Sequence, residues 1–245
     1  MDSLTSAAAS GIRARMESLD MLANNIANAS APGFKADREF YNLYQAAEAA
    51  DSPDGTNPMV LPVVERQWTD FAQGSFTVTG NPLDLALDGK GFFVASSPTG
   101  RIFTRDGSFR LSPTGQLETS DGNAIQDQDG NPIALDSAKP VEIGSDGIVR
   151  QDGQDISRIA VVDFADPSAL VKRGNAYFQA DLSTLAPALE TGVQQGKLET
   201  SNSQPAESAV RLVNIMRQFE GLQKAVAIGD AMNRQAVEQV AKVTS

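Results

Sequence analysis

The chain of 245 residues contains neither cysteine nor histidine. Without cysteine it can form no disulfide bond, no thiolate nucleophile and no cysteine-ligated metal site. Without histidine it lacks the general base of Ser-His-Asp and Cys-His enzymes and the commonest ligand of zinc. These absences exclude most hydrolytic mechanisms. Since no motif in the sequence specifies a catalytic constellation either, we expect a protein that is not an enzyme and that holds no cofactor and no metal ion.

Long apolar runs are also missing from the sequence. No stretch reaches the roughly 18 apolar residues that a membrane-spanning helix needs, so we expect no membrane insertion. Near the amino terminus, Arg13, Arg15 and Glu17 lie where a secretory signal would need its apolar core. We therefore expect any export of the chain to proceed without a cleaved signal peptide.

The formal net charge of −11 is unevenly distributed. Residues 1–35 and residues 199–245 each carry equal numbers of acidic and basic side chains, so the whole excess lies in residues 36–198. Binding to phosphates needs a basic face, which argues against nucleic acid as a partner. Neutral ends suit dense packing among identical copies, where an unbalanced charge would recur at each contact.

Apolar residues near the amino terminus recur at alternating spacings of three and four, which predicts a helix over about residues 3–28 with a narrow apolar stripe. The stripe consists of Ile12, Met16, Leu19, Ala23 and Ile26. An isolated helix of this kind is only marginally stable in water, so it is expected to need a partner.

The carboxy-terminal region has the longer periodic pattern, again with spacings of three and four. Its stripe consists of Leu212, Ile215, Phe219, Leu222, Val226, Gly229, Asn233, Ala236 and Val240. An ordinary amphipathic core helix remains an alternative interpretation. Two such stripes at opposite ends of the chain favour a pair of terminal helices that pack together as in a coiled coil.

A helix stop lies between the first stripe and the rest of the chain. Pro32 cannot continue a helix, Gly33 allows the backbone angles of a chain reversal, and asparagines tolerate a left-handed turn. This turn motif consists of Asn24, Asn25, Asn28, Pro32, Gly33 and Phe34.

The central region has a β pattern. Residues 36–50 look weakly helical, and residues 51–58 look like a loop. From about residue 59, short branched and aromatic runs alternate with glycine-containing turns, which predicts short antiparallel strands. We therefore predict an α+β fold: long terminal helices paired as a coiled-coil-like layer, with an inserted all-β domain. The expected divisions are helix and turn motif (1–35), linker with a possible short helix (36–58), β-rich outer domain (59–195) and carboxy-terminal motif with helix (196–245).

Three possible chemical sites in the central region have weak support. Residues 127–130 resemble part of a calcium loop. The first ligand position of that loop would be Ile125, where an acidic residue is required, and the last would be Asp136 in place of Glu. Asp84 and Asp88 could be proposed as a glycosidase pair, but their spacing alone does not show that they converge. Residues 89–91 are too short for a phosphate-binding loop.

Three longer motifs resemble those of the bacterial flagellar rod and hook proteins. They are the amino-terminal stretch 23–35, the stretch 79–93 continued by 103–109, and the stretch 196–202 with 216–220 in the following helix. The central motif contains Gly80, Asn81, Pro82, Leu83, Asp84, Leu85, Gly91, Phe92 and Phe93.

The resemblance implies a structural subunit of the periplasmic rod of the flagellar basal body. Members of this family polymerise into a helical axial tube, with terminal helices lining the inside and the β domain outside, and they leave the cytoplasm through the flagellar type III export apparatus. Expected partners are other copies and neighbouring rod proteins, and the two stripes and the turn motif are expected at assembly contacts. The chain length resembles that of the proximal rod subunit. The alternatives are the distal rod subunit, another axial protein, or a secreted carbohydrate-binding or hydrolytic β domain.

Overall fold

A computed structural model describes residues 3–45, 60–174, 176–181, 183, 185–188 and 190–243. The chain divides into two compact units. The helical unit comprises residues 1–27, 37–68 and 204–245, and the β unit comprises residues 28–36 and 69–203.

The helical unit contains helix α1 (Ser3–Ala27), helix α2 (Pro205–Val243) and a two-stranded sheet of β1 (Asp37–Gln45) and β2 (Val60–Thr69). Helix α1 ends within one residue of the position that the turn motif predicts. Helix α2 starts with proline, whose missing N–H is not needed at the first helical position. Over the part of the chain that the structure describes, neither helix is long and apolar enough to cross a membrane.

The predicted coiled-coil-like layer of paired terminal helices is wrong. Among the described residues, the buried apolar cluster of this unit is small: Met21, Leu22 and Ile215, with Leu19 and Leu212 packed against it. With 39 residues against 25, α2 is roughly 20 Å longer than α1. The physical reason is that a periodic pattern specifies which residues share a helix face and leaves open what that face contacts.

A large β unit of several sheets lies between the two helices in the sequence, but β1 and residues 60–68 of β2 belong to the helical unit. Residues 37–45 form a strand where the sequence favoured a weak helix. Their aromatic side chains favour strands over helices. The predicted loop 51–58 lies outside the described residues.

The β unit is built from short strands, mostly of two to six residues. They are β3 (Phe76–Val78), β4 (Leu85–Asp88), β5 (Phe92–Ser97), β6 (Gly100–Thr104), β7 (Phe109–Leu111), β8 (Leu117–Thr119), β9 (Ala124–Ile125), β10 (Glu142–Ile143), β11 (Ile148–Gln151), β12 (Gln154–Arg158), β13 (Val161–Phe164), β14 (Val171–Arg173), β15 (Tyr177–Gln179), β16 (Leu185–Pro187), β17 (Gly192–Gln195) and β18 (Lys197–Glu199). A 3-10 turn covers Pro167–Ala169.

The main sheet of the β unit has the order β14-β15-β6-β5-β9-β8-β7, with β13 paired to β5 and β16 to β13. A second sheet has the order β10-β11-β12, and the pairs β17-β4 and β18-β3 complete the unit. The pairings are antiparallel.

Strand β5 separates the two apolar clusters of the β unit. Phe93 and Ala95 belong to one cluster, whereas Phe92 and Val94 belong to the other. Successive strand residues point to opposite faces, so β5 is buried on both sides. Edge-on ring contacts, such as Phe93 with Phe109 at 5.0 Å between centroids, add to the packing.

Candidate functional site

The turn motif is divided between the two units. Asn24 and Asn25 lie in the helical unit, and the remaining members lie in the β unit. Asn24 is exposed, whereas Asn25 is buried. The Asn25 amide donates to the Asp37 carbonyl at 2.8 Å and accepts from the Asp37 N–H at 3.0 Å. This double hydrogen bond ties the end of α1 to the start of β1.

The second half of the motif is a tight turn against the β unit. The Asn28 carbonyl accepts from the Ala31 N–H at 3.0 Å, and Pro32 is half-buried. Gly33 has φ of +64°, and a Cβ at this position would overlap the backbone of Arg105. The turn therefore requires glycine for both its conformation and its close approach to a neighbouring segment.

Phe34 and Lys35 follow the turn and are both fully buried. The ammonium nitrogen of Lys172 lies 4.3 Å from the centroid of the Phe34 ring. The same nitrogen donates to the Lys35 carbonyl at 2.8 Å. Lys172 therefore holds this segment by a cation–π contact and a hydrogen bond.

Lys35, Arg105 and Glu199 form a buried charge cluster. Lys35 Nζ lies 2.6 Å from Glu199 Oε1, and Arg105 Nη1 lies 3.3 Å from Glu199 Oε2. The side chains are 1%, 5% and 0% exposed, respectively. The Gly74 N–H also donates to Glu199 Oε1 at 2.8 Å. One carboxylate thus binds groups from three distant parts of the chain.

Backbone carbonyls accept further hydrogen bonds from the two cations. Lys35 Nζ donates to the Ala72 carbonyl at 2.8 Å, and Arg105 Nη2 donates to the Gly89 carbonyl at 2.7 Å. Within the described residues, Arg105 Nε is buried and has no hydrogen-bond partner. Burying polar groups costs free energy unless they are paired, so this site holds its cations at the expense of stability.

Burial dominates the electrostatics of the cluster. It lowers the pKa of Lys35, and the opposing attraction of Glu199 does not fully compensate. Burial likewise lowers the pKa of Arg105, again against the attraction of Glu199. The charge of Arg105 itself also contributes to the lowered pKa of Lys35. The two cations therefore depend on Glu199 for compensation.

Asn202 makes a second connection beside the cluster. Its Oδ1 accepts from the Ala36 N–H at 2.8 Å, and its Nδ2 donates to the carbonyls of Asp70 and Ala72 at 2.6 and 3.1 Å. The Gly33 N–H donates to the Glu199 carbonyl at 2.8 Å. Residues 33–36 are thus hydrogen-bonded to residues 199–202 along their length.

The central family motif forms a turn and then enters the core. Asn81 closes the turn by donating to Asp84 Oδ1 at 2.9 Å and accepting from the Leu83 N–H at 3.2 Å. The Pro82 carbonyl accepts from Gln195 at 2.9 Å, and Leu85 is fully buried.

The two glycines and two phenylalanines at the ends of the motif are also structural. Gly80 and Gly91 have φ of +73° and +125°. Phe92 and Phe93 enter opposite apolar clusters. These contacts explain the motif by folding alone.

The stripe residues have mixed environments. In α1, Ile12 and Ile26 are half-buried, Ala23 is exposed and Met16 is 52% exposed. In α2, the stripe positions from Phe219 to Gly229 are half-buried: Phe219, Leu222, Val226 and Gly229. The side chains of Asn233, Ala236 and Val240 lie outside the description. The structure brings together Leu19, Leu212 and Ile215.

Sequence reasoning missed the charge cluster and Asn202. Each of the three family motifs contains one member of the cluster, which is the signal that could have found it. The described residues contain no group of three or more acidic side chains placed to hold a metal ion. The arrangement is suited to holding chain segments together and contains no convergent catalytic groups.

Three family models match the chain. The model for flagella basal body rod proteins matches residues 6–35. The model for the D1 domain of the flagellar hook protein FlgE/F/G matches residues 86–151, and that for the carboxy-terminal part of flagellar basal body rod FlgEFG proteins matches residues 194–239. Lys35, Arg105 and Glu199 each lie in a different matched region.

Similar proteins match over most of their length. The flagellar basal-body rod protein FlgF of Caulobacter vibrioides is 36% identical over 92% of this chain and 92% of its own. FlgF of Mesorhizobium japonicum is 32% identical over 82% of this chain and 83% of its own. The flagellar basal-body rod protein FlgG of Buchnera aphidicola subsp. Schizaphis graminum is 32% identical over 91% and 94%.

Proposed function

The chain belongs to the family of flagellar basal-body rod proteins, and on this premise we propose that it is a non-enzymatic structural subunit of the rod. The observation that carries the proposal is the match to a rod protein across 92% of both chains. The family models match residues near both ends of the chain and within the β unit, so the resemblance does not rest on one shared domain.

Exposed apolar side chains on α2 support assembly with further subunits. Five of them are large: Val210, Val213, Met216, Ile228 and Met232. Apolar area of this kind is stabilised by burial against a partner. Other copies of this chain and neighbouring rod proteins are the partners that we propose. Head-to-tail contacts that do not close into a ring produce a helical polymer.

Incorporation into the rod tests this function directly. We expect a chain that lacks residues 205–245 to keep the circular dichroism of its strands and to be absent from purified basal bodies. The full-length chain expressed at the same level is the control. Normal motility supported by the truncated chain would contradict the proposal.

We place the subunit in the proximal rod, as FlgF. Support comes from the FlgF relatives at 36% and 32% identity. The distal rod is the second candidate, because an FlgG relative is 32% identical over 91% of the chain. A small epitope tag imaged by electron microscopy in isolated basal bodies separates the two. Label beside the inner-membrane ring supports the proximal position, and label near the hook supports the distal one.

Export through the flagellar type III apparatus to the periplasm completes the proposal. In a strain without that apparatus, the chain is expected to stay in the cytoplasm at its full mass. Appearance of the chain in the periplasm of that strain would contradict this route.

A further inference from the structure

Four hydrogen bonds join segment 28–36 to residues that follow it by more than 160 positions, one of them between the side chains of Lys35 and Glu199. Gly33 donates to the Glu199 carbonyl, Ala36 donates to the Asn202 side chain, and the Asn202 N–H donates to the Phe34 carbonyl at 3.4 Å. Until residues 197–202 lie in place, these polar groups have no protein partners at these positions. An unpaired polar group that is buried costs about 1–3 kcal/mol.

The charges make the dependence stronger. Segment 28–36 brings a fully buried ammonium group, Lys35, next to the buried guanidinium group of Arg105. Lys172, a third cation, already touches Phe34 and the Lys35 carbonyl. Asp70 and Asp163 also attract Lys35 and Arg105, respectively, but each contributes less than Glu199. Placing Lys35 here without Glu199 would therefore bury a cation among cations.

The reverse order carries no such penalty. Without segment 28–36, Glu199 still has Arg105 as its counter-ion and the Gly74 N–H as a donor. Strand β18 is also paired with β3, independently of segment 28–36. The return strand can therefore occupy its position before Lys35 arrives.

We propose that Glu199 makes docking of segment 28–36 onto the β unit conditional on the prior return of strand β18. The Lys35–Arg105–Glu199 cluster then acts as a latch that closes in a fixed order. In a partly folded chain, where Glu199 has not yet reached its position, segment 28–36 stays undocked from the strands of the β unit. The inference concerns folding order and goes beyond the proposed role as a rod subunit.

Hydrogen–deuterium exchange on the full chain tests the latch. We expect Glu199→Gln to speed exchange in residues 28–36 by about tenfold or more, because the buried ammonium of Lys35 then lacks its counter-ion. Exchange in β5 should stay unchanged. The matched control is Arg110→Met, which removes an exposed ion pair with Glu118 at 2.9 Å and should leave both regions unchanged.

A double variant distinguishes the charge from the hydrogen bonds. Lys35→Met combined with Glu199→Gln removes the buried ammonium and leaves only Arg105 without its counter-ion. Exchange in residues 28–36 should therefore be slower than in Glu199→Gln alone by about threefold or more. Exchange as fast as in Glu199→Gln alone would overturn the proposal, as would parental exchange in Glu199→Gln. If Glu199→Gln fails to fold at all, protection of 28–36 and β5 in the double variant supports the latch, and loss of both overturns it.

Discussion

Lys35 and Glu199 are separated by 164 positions in the sequence, yet their charged atoms lie 2.6 Å apart in a buried site. Arg105 contacts the other oxygen of the same carboxylate. A buried ion pair is a poor source of net stability, because desolvation offsets much of the attraction. Its effect is specific, since removing one partner leaves the other charge uncompensated. In this rod-family chain, the cluster connects one residue from each of the three regions that the family models match.

Replacing Gly33 with alanine should lower the free energy of unfolding of the β unit by more than the strain of a left-handed backbone accounts for. Strain at positive φ costs about 1–2 kcal/mol, and overlap with the Arg105 backbone adds to it. Gly80→Ala is the matched control, because Gly80 has φ of +73° and its Cβ would meet nothing within 4 Å. Urea unfolding measures both variants. An equal loss of stability in the two variants would show that the overlap with the Arg105 backbone does not destabilise the protein.

Replacing Asn25 with alanine should loosen the junction between α1 and β1. The change removes both hydrogen bonds to Asp37, at a cost of about 1–3 kcal/mol. The expected result is faster amide exchange at Asp37. Asp20→Ala, at an exposed position earlier in α1, should leave that exchange rate unchanged. Similar acceleration by both variants would contradict the role of Asn25.

The stability of the chain should depend on Tyr177 at alkaline pH. Burial, followed by the hydrogen bond to Asp121, raises the pKa of Tyr177 from 10.0 to about 12. Between these values the unfolded chain loses the phenol proton and the folded chain keeps it, so this residue lowers stability as pH rises. Below pH 10 the contribution does not vary, and above about 12 it levels off.

Tyr177→Phe separates this contribution from other alkaline titrations. The variant loses the hydrogen bond to Asp121 at 2.6 Å, so it should be less stable by about 1 kcal/mol below pH 10. The difference in free energy of unfolding between parent and variant should decrease from pH 10 to about 12, because only the parent has the Tyr177 phenol that titrates there. Urea unfolding at several pH values measures it. A constant gap would contradict the raised pKa.

A charge on the exposed apolar face of α2 should block assembly without unfolding the chain. Val213 is 48% exposed, so Val213→Asp should change the melting temperature little and abolish incorporation into basal bodies. Burying an unpaired carboxylate at a subunit contact costs several kcal/mol. Gln218→Glu introduces the same charge at another exposed position of α2, about 140° around the helix from Val213, and serves as the control. Normal swimming of the Val213→Asp strain would show that this face makes no assembly contact.

Local patterns account for much of the secondary structure. The combination of Asn28, Pro32 and Gly33 ended α1 at the predicted place, because their backbone preferences act within a few residues. Strand β1 was missed because its short run carries no clear period, and the strand preference of its aromatic residues is weaker evidence than a period. The coiled-coil interpretation failed because periodicity specifies which residues share a helix face and leaves open what that face contacts.

By itself, the sequence determined the family, the α+β content, the extent of α1 and the turn at Gly33, since these depend on motifs and on neighbouring residues. Only the tertiary structure decided that Lys35, Arg105 and Glu199 share one buried site. Their meeting depends on strand β18 pairing with β3 and on the chain path that precedes it. Contacts between residues so far apart are set by the whole topology, and no local preference encodes them.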